Sequence, residues 1–80
     1  MNYFVKHTYI ATAKHPNVKE GTRRVWYVGK GGDYVDQDLR FLTGWKRRAF
    51  AEKYIEKDKA WYAEHPNDAW ENEWSIITTA

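Results

Sequence analysis

Three histidines are the side chains best suited to acid–base or metal chemistry near neutral pH, but their spacing predicts neither. They are His7, His15 and His65. No pair has the separation of a metal-binding motif, and the chain has no cysteine to complete a zinc site. We expect His7 on a half-exposed strand face, His15 in a loop and His65 near a helix C-terminus, where the helix dipole favours a cation.

Nucleophilic side chains and pairs of carboxylates do not predict catalysis either. Ser75 is the only serine in the chain, and it does not follow a strand–turn–helix pattern. Glu71 and Glu73 share one face of a predicted strand, and a solvated strand face explains them better than acid–base catalysis does. We therefore expect a protein that is not an enzyme, with no catalytic residues, no cofactor and no metal.

Basic and aromatic side chains are the better candidates for function, because they suit binding. The chain has five Trp, six Tyr and three Phe, more rings than one small core uses, so some should lie on the surface, where Trp and Tyr favour binding. Basic groups neutralise phosphates and exposed rings stack on bases. The predicted partner-binding residues are Arg23, Arg24, Trp45, Lys46, Arg47, Arg48, Lys53 and Lys57.

Charge is distributed in patches along the chain. The net charge is only +2. Residues 1–30 carry six basic groups against one acidic group, which gives +5, and residues 60–80 carry four acidic groups and no basic group, which gives −4. Such a distribution favours recognition between patches over diffuse nucleic-acid binding. We expect a protein or ribonucleoprotein as partner, with possible nucleic-acid contact and no membrane.

Length and composition limit the architecture to one domain over residues 1–80. The absence of cysteine is compatible with a reducing cytoplasm, and no signal peptide or membrane-spanning run is visible. We therefore expect a cytoplasmic protein. Nothing in the sequence indicates an oligomeric state.

Strand and helix patterns predict an α+β fold. Residues 3–13, 22–28 and 70–78 are predicted strands, with a turn at 14–21, a flexible loop at 29–38 and a short extended piece at 39–42. The helix is predicted over residues 41–65, with Thr43 as its N-cap and Pro66 after its end. The expected fold is a small antiparallel sheet of three to four strands packed on one long helix, in the order β-β-(β)-α-β.

The apolar stripe of the predicted helix is interrupted by charge. The stripe comprises Phe50, Ala51, Tyr54, Ile55, Trp61 and Tyr62. Asp58 and Arg47 fall within it, whereas Lys46, Lys53 and Lys57 form a basic ridge on the opposite side. Either Asp58 pairs with a basic group at the edge of the core, or the helix breaks and restarts with Asp58 as an N-cap. We favour one helix that allows a kink near Asp58. The tryptophan face of residues 70–78 should pack on it, with Glu71 and Glu73 in water.

The run YVGKGG at residues 27–32 is similar to the second half of the GIY-YIG nuclease signature. That resemblance implies that Tyr9 and Tyr27 are paired tyrosines, that a helix arginine stabilises a phosphate, and that Glu71 or Glu73 holds a metal. No GIY-like triplet is present, and a glycine-rich connection after an edge strand is the simpler interpretation. A GIY-YIG-like nuclease fragment is the remote alternative.

The layout of the whole chain resembles small phage-encoded β-β-α-β accessory proteins of anti-CRISPR type. Arg40 to Thr43, followed by small residues at Ala49 and Ala51, is similar to their pattern of a strand ending in Phe, a helix cap and small residues facing the sheet. This resemblance implies an inhibitor that binds a host CRISPR–Cas effector and blocks its DNA binding or cleavage. The alternative is a nucleic-acid-binding accessory protein that uses Arg23–Arg24 and Trp45–Arg48.

Overall fold

The structure is a computed structural model that describes residues 1–31, 34–35 and 38–80. Strands β1 (Asn2–Ala11) and β2 (Arg23–Val28) are followed by the two-residue strand β3 (Tyr34–Val35) and a 3₁₀-helix at Leu39–Phe41. Helix α1 (Arg48–Glu64) and strand β4 (Trp70–Thr79) complete the chain. The strands form one antiparallel sheet in the order β3-β2-β1-β4.

The predicted α+β class is confirmed, because one long helix covers one face of a small antiparallel sheet. β1 is the central strand, with β2 on one side and β4 on the other. Its alternation of side chains divides the sheet into a helix-side face, which carries Val5 and His7, and an open face, which carries Lys6 and Thr8. Val5, Val28 and Ala51 are fully buried between α1 and the helix-side face.

The helix begins later than the sequence predicted. Thr43 was expected as the N-cap, but its carbonyl accepts a hydrogen bond from the Lys30 amide. Trp45 forms an antiparallel bridge with Tyr3, in which each amide donates to the other carbonyl at 2.8 and 2.9 Å. This strand-like pairing holds Trp45 extended, the chain then bends at Lys46 and Arg47, and Arg47 is the actual N-cap. The prediction of a helix over residues 41–65 was therefore wrong at its start.

The segment before the helix also differs from the predicted extended piece at 39–42. The Asp38 carboxylate accepts a hydrogen bond from the Arg40 amide at 2.9 Å, and the Leu42 amide donates to the Leu39 carbonyl. Local side-chain-to-backbone bonds of this kind favour a tight turn over a strand, so Leu39–Phe41 is a 3₁₀-helix. The additional strand is instead Tyr34–Val35, inside the predicted loop 29–38, which lies partly outside the described residues.

The strand β4 agrees with its predicted alternation. Trp70 and Trp74 are partly buried on the helix-side face, whereas Glu71 and Glu73 are exposed. Within the part of the chain that the structure describes, no helix has the length and apolar composition to span a bilayer.

Candidate binding groove

A buried polar cluster lies at the centre of the helix-side face. His7 on β1 is 0% exposed. Its Nε2 lies 3.0 Å from the Asn72 Oδ1 on β4, and its Nδ1 lies 3.5 Å from the Asp58 Oδ2 on α1. The Trp74 indole Nε1–H also donates to Asp58 Oδ2, at 2.9 Å. One carboxylate therefore joins the helix to both the central strand and the outer strand.

Aromatic rings enclose this cluster. The Trp74 ring stacks on His7 with centroids 4.7 Å apart, and the rings of Tyr9 and Tyr62 lie 4.3 and 5.3 Å from it. The Tyr9 and Tyr62 hydroxyls form a hydrogen bond of 2.8 Å. Burial, followed by this hydrogen bond, raises the pKa of Tyr9 above its usual range. Tyr9 is therefore neutral under ordinary conditions and serves as a hydrogen-bonding core residue.

Burial lowers the pKa of His7 below its usual value, although the Asn72 hydrogen bond and the Asp58 charge both act to raise it. The amide oxygen of Asn72 can only accept, so a hydrogen on Nε2 satisfies that contact in the neutral ring. The lowered pKa thus reflects burial, which outweighs two oxygen contacts that each favour the protonated ring.

This lowered pKa predicts that acid destabilises the protein before carboxylates titrate. Above pH ~6.5 His7 is neutral in both the folded and the unfolded states. Below that pH the unfolded state takes up a proton first, so the free energy of unfolding falls with decreasing pH, by at most about 1.4 kcal/mol per pH unit for this one group. Urea unfolding at pH 7.5, 6.5 and 5.5 checks the slope. His7→Phe should be less stable at every pH but should lose most of the dependence above pH 5.5, and an unchanged slope would contradict the assignment.

Two sequence interpretations are settled by this cluster. The prediction of a half-exposed His7 was wrong, because the residue lies on the covered face of the central strand. Asp58 does not break the helix, since α1 continues from Arg48 to Glu64. Of the two explanations for Asp58, a polar contact at the edge of the core holds: its Oδ2 lies 3.5 Å from the Nδ1 of His7, whose pKa is lowered, and accepts a hydrogen bond from the Trp74 indole. Arg47 lies outside the helix and is exposed, so it does not interrupt the apolar stripe.

An open groove runs along one side of α1, and we call it the α1 groove. The helix packs mainly on β1 and β4, and these two strands do not cover the rings at one side of its apolar stripe. Phe50 and Trp61 are both 53% exposed as a result. The groove has a volume of about 710 Å³. It is lined by Gly31, Trp45, Phe50, Lys53, Tyr54, Lys57, Asp58 and Trp61.

Rings and lysines alternate along the helical side of this groove. Phe50, Tyr54, Lys57 and Trp61 follow spacings of three and four residues, which place them on one side of a helix. Lys53 and Lys57 are exposed, and neither forms an ion pair with any residue in 1–31, 34–35 or 38–80. The groove therefore combines exposed aromatic surface with two lysines that form no ion pair among the described residues, and the Asp58 carboxylate also lines it.

The predicted binding residues do not form one surface. Arg24 lies opposite Tyr9 in the β1–β2 register, and Trp45 lies opposite Tyr3. Six residues of β1 separate these points, or about 20 Å at the rise of a β-strand. The Arg23–Arg24 pair and the Trp45–Arg48 segment are thus at opposite ends of the sheet.

Several of the basic groups are also engaged by neighbours. Arg23 lies 3.6 Å from Glu73 on the open face, and Arg48 lies 3.0 Å from Glu52 one helical turn away. Arg24 lies over the Trp70 ring at 5.3 Å. Lys46 donates to the Asn2 side-chain oxygen at 2.7 Å. Of the eight predicted residues, the structure brings together Trp45, Lys53 and Lys57 in the α1 groove, whereas the exposed rings of Phe50 and Trp61 were assigned to the core stripe.

The paired tyrosines that the nuclease resemblance implied lie on opposite faces of the sheet. Tyr9 is on the helix-side face, where its hydroxyl contacts Tyr62. Tyr27 pairs with Lys6 and therefore lies on the open face. The two hydroxyls cannot act on one substrate group in this fold, so that arrangement of the site was wrong.

Among residues 1–31, 34–35 and 38–80, no three His, Cys, Asp or Glu side chains cluster closely enough to hold a metal ion. Comparison of the chain with protein-family models, with curated proteins and with solved structures gave no match. The geometry of the α1 groove is therefore the basis for assigning a function.

Proposed function

We propose that this protein is a non-catalytic inhibitor that binds a host CRISPR–Cas effector and blocks its DNA binding or cleavage, with the α1 groove as the docking site. The observation that carries the binding role is the exposure of Phe50 and Trp61 beside Lys53 and Lys57. Large exposed rings in a concave site are typical of binding hot spots. The choice of effector as partner rests on the resemblance of the β-β-α-β layout to small phage accessory proteins. It does not rest on the residue pattern at 40–51, because Phe41 lies in a 3₁₀-helix and Thr43 does not cap α1.

The chemistry of the groove indicates what part of a partner it would accept. Two exposed lysines flank the rings, so a complementary segment carries acidic side chains next to apolar ones. The apolar side chains would cover Phe50 and Trp61, and the carboxylates would meet Lys53 and Lys57. We therefore propose an acidic, partly apolar segment of the effector protein as the occupant.

The buried polar cluster supports a non-catalytic role. His7 and Asp58 are the pair that most resembles acid–base machinery, but His7 is 0% exposed and its ring is enclosed by Tyr9, Tyr62 and Trp74. A general base must come within hydrogen-bond reach of its substrate. These residues contact one another across β1, β4 and α1. We therefore interpret the cluster as a structural contact that holds α1 on the sheet.

Direct nucleic-acid binding is the second candidate, and one feature of the groove favours it. Bases can stack on exposed rings such as Phe50 and Trp61 while lysines contact phosphates. The dispersal of the arginines weighs against it, because Arg23 and Arg48 contact glutamates and lie at opposite ends of the sheet. Fluorescence titration with single-stranded DNA and RNA at two salt concentrations separates the candidates. Tight binding that weakens steeply with salt would favour the nucleic-acid function, whereas weak binding at both concentrations supports an effector partner.

Charge reversal in the groove gives a specific prediction for the effector complex. Lys53→Glu combined with Lys57→Glu should weaken binding to the effector by at least about tenfold, because two attractive contacts with carboxylates become repulsive. Both residues are exposed, so the fold should be retained. Calorimetric titration of the purified effector with wild type and variant measures the change.

The matched control for this experiment is Lys14→Glu combined with Lys19→Glu. These lysines are exposed in the β1–β2 connection, outside the groove, and the double change alters net charge by the same amount. Lys14 lies 3.6 Å from the exposed Asp68, so the stability of each double variant is measured beside its affinity. Equal loss of affinity in both double variants would show that net charge, and not the α1 groove, governs binding.

A further inference from the structure

Strand β4 forms one edge of the sheet over its full length. It pairs with β1 from Asn2↔Thr79 to Ala11↔Trp70 in an unbroken register, without a bulge. Within the part of the chain that the structure describes, no strand pairs with its other side. Trp70–Thr79 is therefore a long, regular strand whose outer backbone groups are available for pairing.

The hydrogen-bond directions identify these outer groups. Ala11 bonds to Thr22 on the β2 side, and Thr12 donates to Ala69 on the β4 side. Because bonding directions alternate along a strand, the even-numbered residues of β1 face β4, and their partners are the odd-numbered residues of β4. The even-numbered residues of β4 thus point their amides and carbonyls outward. They are Trp70, whose amide bonds to Asn67 in the preceding turn, and Asn72, Trp74, Ile76 and Thr78.

Natural edge strands usually prevent further pairing by means of lysine, proline, a bulge or short length. The sequence of β4, WENEWSIITT, contains no lysine, proline or glycine. Its only charges are Glu71 and Glu73, both near its start. At the opposite edge of the sheet, by contrast, β3 is only two residues long. The β4 edge therefore keeps its capacity to pair.

We propose that β4 pairs antiparallel with β4 of a second copy, around a two-fold axis at Ser75, and joins the two four-stranded sheets into one. In this register the outward groups of Trp74 meet those of Ile76 of the partner subunit, so they form hydrogen-bonded pairs. Glu73 lies opposite Ile77 of the partner subunit, and Glu71 lies opposite Thr79 of the partner subunit. The four carboxylates are kept apart, which makes the edge complementary to itself.

The position of the helix is compatible with this dimer. α1 packs over β1 and β4, and strands in a sheet are about 4.8 Å apart. A helix midway between these strands would lie about 10 Å from its symmetry mate, which is close to the distance of packed helices. The flank of α1 above β4 carries Lys59, whose Nζ lies 5.7 Å from the Trp74 ring centre, and Glu52 about two turns earlier. Antiparallel helices with charges of both signs on this flank can meet without net repulsion.

This interface lies on the side of α1 away from the groove. The dimer would therefore leave both α1 grooves open, and its existence does not depend on the proposed partner. If the proposed function also holds, the dimer presents two identical grooves to an effector or to two effectors.

Analytical ultracentrifugation at submillimolar concentration tests the dimer. The wild type should sediment at twice the monomer mass of 9.6 kDa. Ser75→Glu should raise the dissociation constant by roughly tenfold, because it sets like charges opposite one another at the axis. It should not weaken the monomer, since Ser75 pairs with Lys6 across the sheet. Ser75→Thr is the matched control and should leave the constant unchanged.

Hydrogen exchange provides the readout that identifies the edge. On raising the concentration, the amides of Asn72, Trp74, Ile76 and Thr78 should become protected, while those of the odd-numbered β4 residues are protected already by β1. A wild type that remains monomeric at submillimolar concentration would overturn the proposal. So would a dimer whose stability is indifferent to Ser75→Glu and whose even-numbered β4 amides exchange freely.

Discussion

His7→Ala should lower the free energy of unfolding by about 3–4 kcal/mol, the cost expected for truncating a buried ring. The change removes the stacking on Trp74 and the contacts with Tyr9 and Tyr62, and leaves a cavity at the centre of the helix-side face. It also leaves the Asn72 oxygen and the Asp58 carboxylate without the imidazole that they contact. Urea unfolding at pH 7.5, followed by tryptophan fluorescence, measures the loss.

His65→Ala is the matched control, since the same side chain is truncated at an exposed position at the end of α1. It should cost less than about 1 kcal/mol. If the two variants are equally stable, His7 does not hold the helix to the sheet and the interpretation of the polar cluster as structural fails.

Gly29→Ala should also lower the free energy of unfolding substantially, by about 2–3 kcal/mol, which is typical of overpacking in a tight site. A Cβ on Gly29 would lie 2.5 Å from the Thr43 carbonyl oxygen and 3.2 Å from the Leu42 Cβ. That carbonyl accepts the Lys30 amide at 2.6 Å, so the backbone must shift and this bond must lengthen. The shift would reach the Trp45–Tyr3 bridge, which sets the start of α1.

Gly21→Ala separates this clash from the intrinsic effect of replacing glycine. Gly21 has φ +87, and nothing lies within 4 Å of the site of its missing Cβ. Its replacement should cost only about 1 kcal/mol, through left-handed backbone strain. Thermal unfolding of both variants gives the comparison. A Gly29→Ala protein as stable as Gly21→Ala would mean that the contact with Thr43 is not tight in solution.

The elements of this fold could be predicted wherever local patterns dominate. The alternation from Trp70 to Thr78 indicates a strand with one covered face, and the structure has that strand. The helix start could not be found in this way, because Trp45 is held extended by Tyr3, a residue far away in sequence. Thr43 has the chemistry of an N-cap, but a distant backbone contact determines its conformation.

The candidate site was only partly predictable for a related reason. A charge at Asp58 within an apolar stripe predicts that a polar side chain contacts it. In the structure His7 and Trp74, which lie on two different strands, make these contacts. His7 lies at the centre of the aromatic-rich strand β1, and this position was the sequence feature that could have identified it as the contact of Asp58. The groove depends on how far α1 extends over the sheet. Helical periodicity places Phe50 and Trp61 on the apolar stripe, but it does not show that both rings remain 53% exposed beside the sheet.

The most direct test of the proposed inhibitor is target-DNA cleavage by purified single-subunit and multi-subunit CRISPR–Cas effectors, titrated with the wild-type chain and with the Lys53→Glu, Lys57→Glu double variant. We predict that the wild type stops cleavage by at least one effector once it equals the effector in concentration. The folded double variant should require at least about tenfold more protein. Cleavage that continues unchanged for every effector at saturating wild-type protein would contradict the account.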